Sequence, residues 1–454
     1  MRFIDDNFLL ENDYSRTLYF GSARDCPIVD FHNHLPVSDL CEDKQYHDIG
    51  TLWVCSDPYK HRAMRLMGLD ERVISGEATS REKFNAWCGI VPYLIGNPLF
   101  HWSCLEMKRF FNFDDVPETG NADMIWDHCN KLLGEKSYSV DSLLRNAGVL
   151  QATTSDDLLD DTTRHRKASE VSRIDISPSL RADSILSFNP SWMDRLEIEE
   201  MSLEAYLNAV SRHLDLFASN GCRLSDHALD NGFVYIATTF EKASRLFSRL
   251  GSLCPAETAE LKSFILGWLG RQYARRNWVM QLHIGAERWT SSRLRLAAGP
   301  AGGFACPGSA CDIRSLCDFL DGLDKEGEMP KVILYPLNPS DNAALATLTG
   351  SFSQSGVQKV KFGPAWWFND HIYGIEENLE ILSSYSLLSQ SLGMTTDSRN
   401  VLSFSRHEYF RRILCNWLGN KVAKGYLPAD FDLLDTIVKD ICYRNAKRWI
   451  YEQR

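Results

Sequence analysis

Strand-length apolar runs that alternate with helical stretches constrain this chain more than any other feature. Ile28–Pro36, Gly148–Asp156, Asp183–Phe188, Cys222–Ala228, Trp278–Ile284, Lys331–Leu337, Val360–Phe362 and Leu392–Asp397 each read as a short strand with a polar exit or a turn after it. Eight such strands, each followed by helix, predict an α/β fold of the (β/α)8 TIM type, whose functional site lies at the C-terminal strand ends. A chain of 454 residues suits one such barrel, spanning 1–454 and carrying an insertion. Residues 1–25 read as an N-terminal arm. The insertion is 38–145, far longer than a usual strand-to-helix loop. Its pattern is helical and rich in aromatics (Trp53, Trp87, Tyr93, Phe100, Trp102, Phe110, Phe111), with breaks at Gly76, Pro92 and Pro98. It predicts a helical subdomain over the barrel mouth.

The polar residues gather at the strand exits: His32, His34, Thr154, Asp156, Asp226, His227, His283, Asn338, Asp397 and Arg399. His32 and His34 stand two apart, so a strand would send both imidazoles to one side. Two neutral imidazoles there make half a site for a divalent transition metal, whereas two histidines alone could also be a hydrogen-bonded surface pair. Asp57–Arg62 reads as a polar, turn-like segment, either a solvated loop or one that lowers Tyr59 into a site. Ser405-Arg-His-Glu408 has the form of a capping box. The rows Tyr409/Ile413/Trp417 and Phe410/Leu414/Leu418 follow as core packing, with Gly419 closing the helix. Pro300–Gly308 reads as a mobile loop at the mouth. Cys306, Cys311 and Cys317 lack the spacing and histidines of a zinc knuckle.

Lys plus Arg number 49 against 60 Asp plus Glu, a formal net charge of −11, which argues against a nucleic-acid or anionic-membrane partner. The 13 cysteines are scattered and form no C-x-x-C pair, as expected in a reducing cytoplasm. The acidic Met1-Arg-Phe-Ile-Asp-Asp6 does not read as a signal peptide, no apolar run approaches a membrane span, and no Walker-type phosphate loop is present.

Taken together, Asp30-Phe-His-Asn-His34, Tyr59-Lys-His-Arg-Ala-Met-Arg65, Glu82-Lys-Phe84, Asn97-Pro-Leu-Phe-His-Trp102, Gln281-Leu-His-Ile-Gly-Ala286, Leu337-Asn-Pro339, Trp366-Trp-Phe-Asn-Asp370, Thr396-Asp-Ser-Arg-Asn400 and Arg406-His-Glu-Tyr-Phe-Arg-Arg412 resemble the uronate (glucuronate) isomerases, an outlying branch of the amidohydrolase superfamily. The resemblance runs almost end to end. It implies one divalent metal, usually zinc, on His32, His34 and Asp397, with His283 a further ligand or a substrate contact. It implies catalytic roles for Asp397, Arg399, Tyr59 and His32, and contacts to a small sugar acid from Arg181, His283, Arg288, Trp366 and Arg399. The implied reaction takes D-glucuronate to D-fructuronate, and often D-galacturonate to D-tagaturonate. A homo-oligomer is compatible with all of this. The chain departs from the family pattern at Glu287-Arg-Trp-Thr290, at Ala301 and Ala305 where acidic residues are usual, and at Arg181-Ala-Asp183 where proline is usual. These departures bear on substrate preference.

The chemistry agrees with the residue types. Aldose–ketose isomerisation moves a hydrogen between C2 and C1; a metal steadies the oxygens, and a carboxylate such as Asp397 carries the proton. Arg399, two residues on, would face the same side if the strand continues, as partner of Asp397 or as a fork for the uronate carboxylate. Tyr59 could donate during ring opening, or merely pack as part of a lid. A metal-dependent hydrolase is the rival reading. Two-metal members of that superfamily usually bridge their metals with a lysine on the fourth strand, and Cys222–Ala228 has none. A non-catalytic sugar-binding barrel would have little use for the histidines beside Asp397 and Arg399.

Overall fold

The structure is a computed structural model and describes residues 3–198 and 200–452. Seven strands form one parallel, curled sheet in chain order: β1 (Ile28–Asn33), β2 (Val149–Asp157), β3 (Asp175–Arg181), β4 (Leu224–Leu229), β5 (Val279–Ile284), β6 (Lys331–Pro336) and β7 (Val360–Phe362). Parallel neighbours require long crossovers, which the intervening helices supply. Side chains alternate between two environments. Val29, Phe31, Leu224, Val279, Ile333 and Tyr335 pack together inside the curl with Trp366, while Met280, Leu282, Val332 and Leu334 join the core made with the helices. Arg181 stands level with Asp226, and Asp226 with Gln281, so polar residues of successive strands line up at one edge.

Two of the eight expected strands differ. The third is Asp175–Arg181, and the segment 183–188 expected in its place begins with a short helix, Asp183–Ser187. Pro178 and the serines beside it disguise β3 as a turn, yet its five central residues are all buried. The eighth segment, Leu392–Asp397, forms no ladder strand. It is buried throughout apart from a half-buried Asp397, and it attaches to β1 irregularly: Asp397 N–H donates to His32 O at 3.0 Å, His34 N–H to Ser398 O at 2.8 Å and His32 N–H to the Thr395 hydroxyl at 2.8 Å.

Between β1 and β2, helix follows helix from Val37–Cys41 to Val140–Asn146. Trp53, Trp87, Trp102 and Phe111 are fully buried there, Phe100 and Phe110 are partly so, and Tyr93 faces solvent. Asp57–Arg62 is neither loop nor turn. It starts helix α1 (Pro58–Leu66), with Pro58 in the first turn and the Asp57 carboxylate accepting the N–H groups of Tyr59 and Lys60. The expected capping box is also absent. A 3-10 turn, Val401–Phe404, capped by Asn400, runs directly into helix α2 (Ser405–Ala423), so Ser405 is already inside the helical path. Glu408 instead holds Arg109 and Arg412. Gly419 does not end α2; a Cβ there would lie 2.6 Å from the Ser15 nitrogen, so the glycine lets the N-terminal helix Asp13–Leu18 approach. The Pro300–Gly308 loop is tied to α1 and its surroundings: Arg65 donates to Gly302 O and Arg62 to Ala305 O.

Candidate active site

A cavity of about 970 Å³ opens at the C-terminal edge of the sheet, and His32, His34, Tyr59, Arg181, His283, Arg288, Trp366, Asp397 and Arg399 all line it. That volume is at the upper end of small-molecule sites. Thr154, Asp156, His227 and Asn338 do not join them. Thr154 and Asp156 bind the buried His165, His227 packs on Tyr273, and Asn338 donates to Gly308 O.

Strict alternation would turn His32 away from Phe31, its neighbour in the inner cluster. The β1–β2 register shifts between Asp30 and Asn33, and His32 turns inward to lie 4.7 Å, ring to ring, from His283. His34 follows just past the strand. Both imidazole Nε2 atoms meet one carboxylate oxygen, Asp397 Oδ1, at 3.3 Å from His32 and 3.1 Å from His34. Asp397 adopts a left-handed φ of +49°, so the backbone does not continue as a strand through it, and the expected same-side argument for Arg399 does not apply. Its other oxygen accepts the Trp366 indole N–H at 3.0 Å. Burial works to raise the Asp397 carboxyl, yet the two histidines hold it well below the usual carboxylate range. Burial likewise pulls both imidazoles toward neutral; the carboxylates of Asp397 and Asp226 outweigh it at His32 but not at His34. Burial, with His32 adding to it, holds His283 far below its ordinary value and therefore neutral.

Two overlapping groups share His32: His32, His34 and Asp397, and His32, Asp226 and His283. Within each, the ligating atoms lie within 4.8 Å of one another. His32 Nδ1 and His283 Nε2 are buried without a hydrogen-bond partner among the described residues. Imidazole nitrogens plus one carboxylate oxygen form a donor set suited to a divalent transition metal, and neutral His283 is in the state a ligand needs. The residues present therefore fit a metal. Asp226, on the strand that carries no lysine, is fully buried and accepts the Ser155 and Ser179 hydroxyls. It was legible only as a strand-exit carboxylate, not as a member of the site.

The guanidinium groups differ sharply. Arg181 is committed to Asp183 at 2.8 Å and lies 3.7 Å from Asp226; Arg288 is committed to Asp230 at 2.8 Å. Arg399 has no ion pair or hydrogen bond among the described residues. Tyr59 donates to Asp370 at 3.1 Å, and the buried Arg406 lies across both. Sequence reasoning assigned no role to Asp370 or Arg406, although both stand in the motifs that carry the resemblance. Ala182 donates its N–H to Asp226 O at 3.1 Å, a bond that the proline expected from the resemblance could not make.

A parallel, curled α/β sheet with its cavity at the C-terminal edge defines the class of fold. A structure described as a metal-dependent hydrolase from Lactobacillus casei shares the fold, with a TM-score of 0.57 at 11% identity over 96% of this chain and 99% of that one. Within that broad class the chain belongs to the glucuronate isomerase family, whose profile matches residues 1–450. The uronate isomerase of Geobacillus thermodenitrificans is 41% identical over 98% of both chains, and that of Halalkalibacterium halodurans 40% identical over 98% of this chain and 97% of its own. The crystal structure of uronate isomerase from Thermotoga maritima superposes with a TM-score of 0.92 at 32% identity, covering 99% of this chain and all of that one.

Proposed function

We propose that this protein interconverts hexuronate aldoses and ketoses, taking D-glucuronate to D-fructuronate and D-galacturonate to D-tagaturonate. The observation that carries this reading is the meeting of His32, His34 and Asp397 beside the unpartnered Arg399, in one cavity of a chain from this family. His32, His34 and Asp397 would hold one divalent metal, zinc in our reading, with His283 and Asp226 adjacent; once bound it supplies Lewis-acid stabilisation to substrate oxygens that gain charge. Asp397 takes the proton from C2 and returns it to C1. Arg399 offers a planar fork to the oxygens of the sugar acid, the carboxylate foremost. Arg181, already committed to Asp183, adds positive potential rather than a free fork. Trp366 and His283, 4.6 Å apart ring to ring, form a wall that keeps the sugar against Asp397, and Arg288 stands at the mouth.

The same reading treats Leu392–Ser398 as the irregular eighth stave of a (β/α)8 barrel, supported by its hydrogen bonds to β1. It treats the helices between β1 and β2 as an inserted subdomain that lends Tyr59 to the site. Metal-replete protein incubated with each uronate should yield the matching ketose, followed by chromatography. Failure to convert either one would overturn the proposal.

A further inference from the structure

We propose that Asp370 is the positioning residue through which Tyr59 works as a proton shuttle between O2 and O1 of the sugar, with Arg406 holding the pair in place. This inference rests on the isomerase reading above. Tyr59 and Arg406 line the cavity, whereas Asp370 lies behind them and is 6% exposed. The phenol donates to Asp370 Oδ2 at 3.1 Å, and Arg406 Nη1 stands 3.5 Å from the same oxygen. The Arg406 guanidinium covers the Tyr59 ring at 5.0 Å and the Trp102 ring at 4.1 Å, and its Nη1 also donates to Thr396 O at 3.2 Å. A phenol that points its hydrogen into the wall turns its lone pairs to the cavity. In the resting state it is therefore an acceptor of a substrate hydroxyl, not a donor.

The reaction needs such a group. When C2 gives up its proton to Asp397, the electron pair forms the C1–C2 double bond and O1 gains charge that a proton must quench. When the pair returns and C2 becomes the carbonyl, O2 must lose its proton. The O2–H proton passes to Tyr59 as the phenol proton passes to Asp370. The reverse transfer delivers a proton to O1, and phenol and carboxylate end as they began. No oxidant enters, because C2 is oxidised as C1 is reduced.

Asp370 has the surroundings of a carboxylate that takes a proton briefly. Burial raises its pKa to about 6, with Arg406 and Tyr59 opposing. Asp397 from the last inner segment and Tyr409 from α2 also face it, while Asp57 and Glu106 face Arg406 from the helical side. A purely structural pair would tolerate an amide. A relay would not, because the amide accepts the phenol hydrogen bond but cannot take the proton.

The test is steady-state kinetics of metal-replete Asp370→Asn, Asp370→Glu and Tyr59→Phe and the Asp370→Asn/Tyr59→Phe double variant, with pH profiles. Asp370→Asn should lower kcat about a hundredfold or more, the usual range for lost proton transfer, while KM stays within about threefold. The wild-type kcat profile should show an acid limb near pH 6, and Asp370→Asn should lose it. Adding Asp370→Asn to Tyr59→Phe should cost less than about threefold more, because the two act as one unit. Asp370→Glu should exceed Asp370→Asn in kcat; a packing role predicts the opposite order, and this comparison holds even where the amide variant folds poorly. Wild-type kcat in Asp370→Asn, multiplying losses in the double variant, or Asp370→Glu at or below Asp370→Asn overturns the inference. A wild type inert on every uronate fails the isomerase reading itself, an outcome distinct from all of these.

Discussion

Arg399 offers the sharpest separation of function from structure. Its guanidinium lines the cavity with no ion pair or hydrogen bond among the described residues. Burial lowers its pKa, and Arg181 lowers it further while Asp397 opposes, so the free protein carries an incompletely compensated charge there. A bound sugar acid would compensate it. Each hydrogen bond between charged groups contributes about 1.5–3 kcal/mol, and a tenfold rate change corresponds to about 1.4 kcal/mol. Arg399→Lys keeps the charge but loses one arm of the fork, so kcat/KM for uronates should fall about 10- to 100-fold. Arg399→Met loses both arms and should fall about a thousandfold or more. Removing a poorly paired, part-buried charge costs the fold nothing, so the melting temperature of Arg399→Met should equal or exceed that of wild type. The assays are uronate kinetics and a thermal melt on the same preparations. Retention of kcat/KM within about threefold in Arg399→Met, or a melting temperature several degrees lower, would refute the reasoning.

Replacing His32 and His34 together with Ala should remove bound metal, measured by elemental analysis, without unfolding the sheet; full occupancy in that variant excludes them as ligands. In deuterated water the wild type should leave deuterium at C1 of the ketose if Asp397 carries the C2 proton, and strict absence of label withdraws that role. Lys361 is 4% exposed, and burial pushes its ammonium down to about 8. The folded value lies below the ordinary 10.5, so between pH 8 and 10.5 the unfolded chain binds more protons and stability rises with pH. The full penalty, about 3 kcal/mol, is present below pH 8. Chemical denaturation at several pH values should show that rise in wild type and its loss in Lys361→Met.

The parts of the fold that were legible are those whose signal is local. β1, β5 and β6 are rich in apolar residues and buried almost throughout, and show plainly. β3 did not, because Asp175-Ile-Ser-Pro-Ser-Leu-Arg181 has the composition of a turn and becomes a strand only between β2 and β4. The segment 392–397 has strand-like composition, yet beside the Asp397 N–H bond to His32 O its attachment to β1 runs through the side chains of Asp30 and Thr395, which no periodicity encodes. Among site residues, His32 and His34 announce themselves by spacing. Tyr59 looked like a loop residue because Asp57-Pro58 opens turns as readily as helices. Asp370 and Arg406, 36 positions apart, meet only through the tertiary fold.

Asp30 shows why the histidine motif begins with an acid. It is fully buried, belongs to neither group that could hold a metal, and has four donors within hydrogen-bond distance. These are Asn33 Nδ2 at 3.1 Å, the Thr395 hydroxyl at 3.2 Å, Thr396 N–H at 2.9 Å and, with the tautomer that protonates it, His407 Nε2 at 3.0 Å. One carboxylate thus joins β1, the irregular segment and α2. Thr396 is the residue before Asp397, so its N–H bond to Asp30 fixes the approach of the chain to the left-handed turn. The Asp397 N–H bond to His32 O fixes its exit. The distance between the two imidazoles and the carboxylate they share is therefore set by a residue that never faces the cavity. A regular ladder strand would alternate its side chains and could not bring Asp397 under His32 while presenting Trp366 to its second oxygen. The missing eighth ladder is the local geometry that the site requires, and Asp30 is the group that makes it stable.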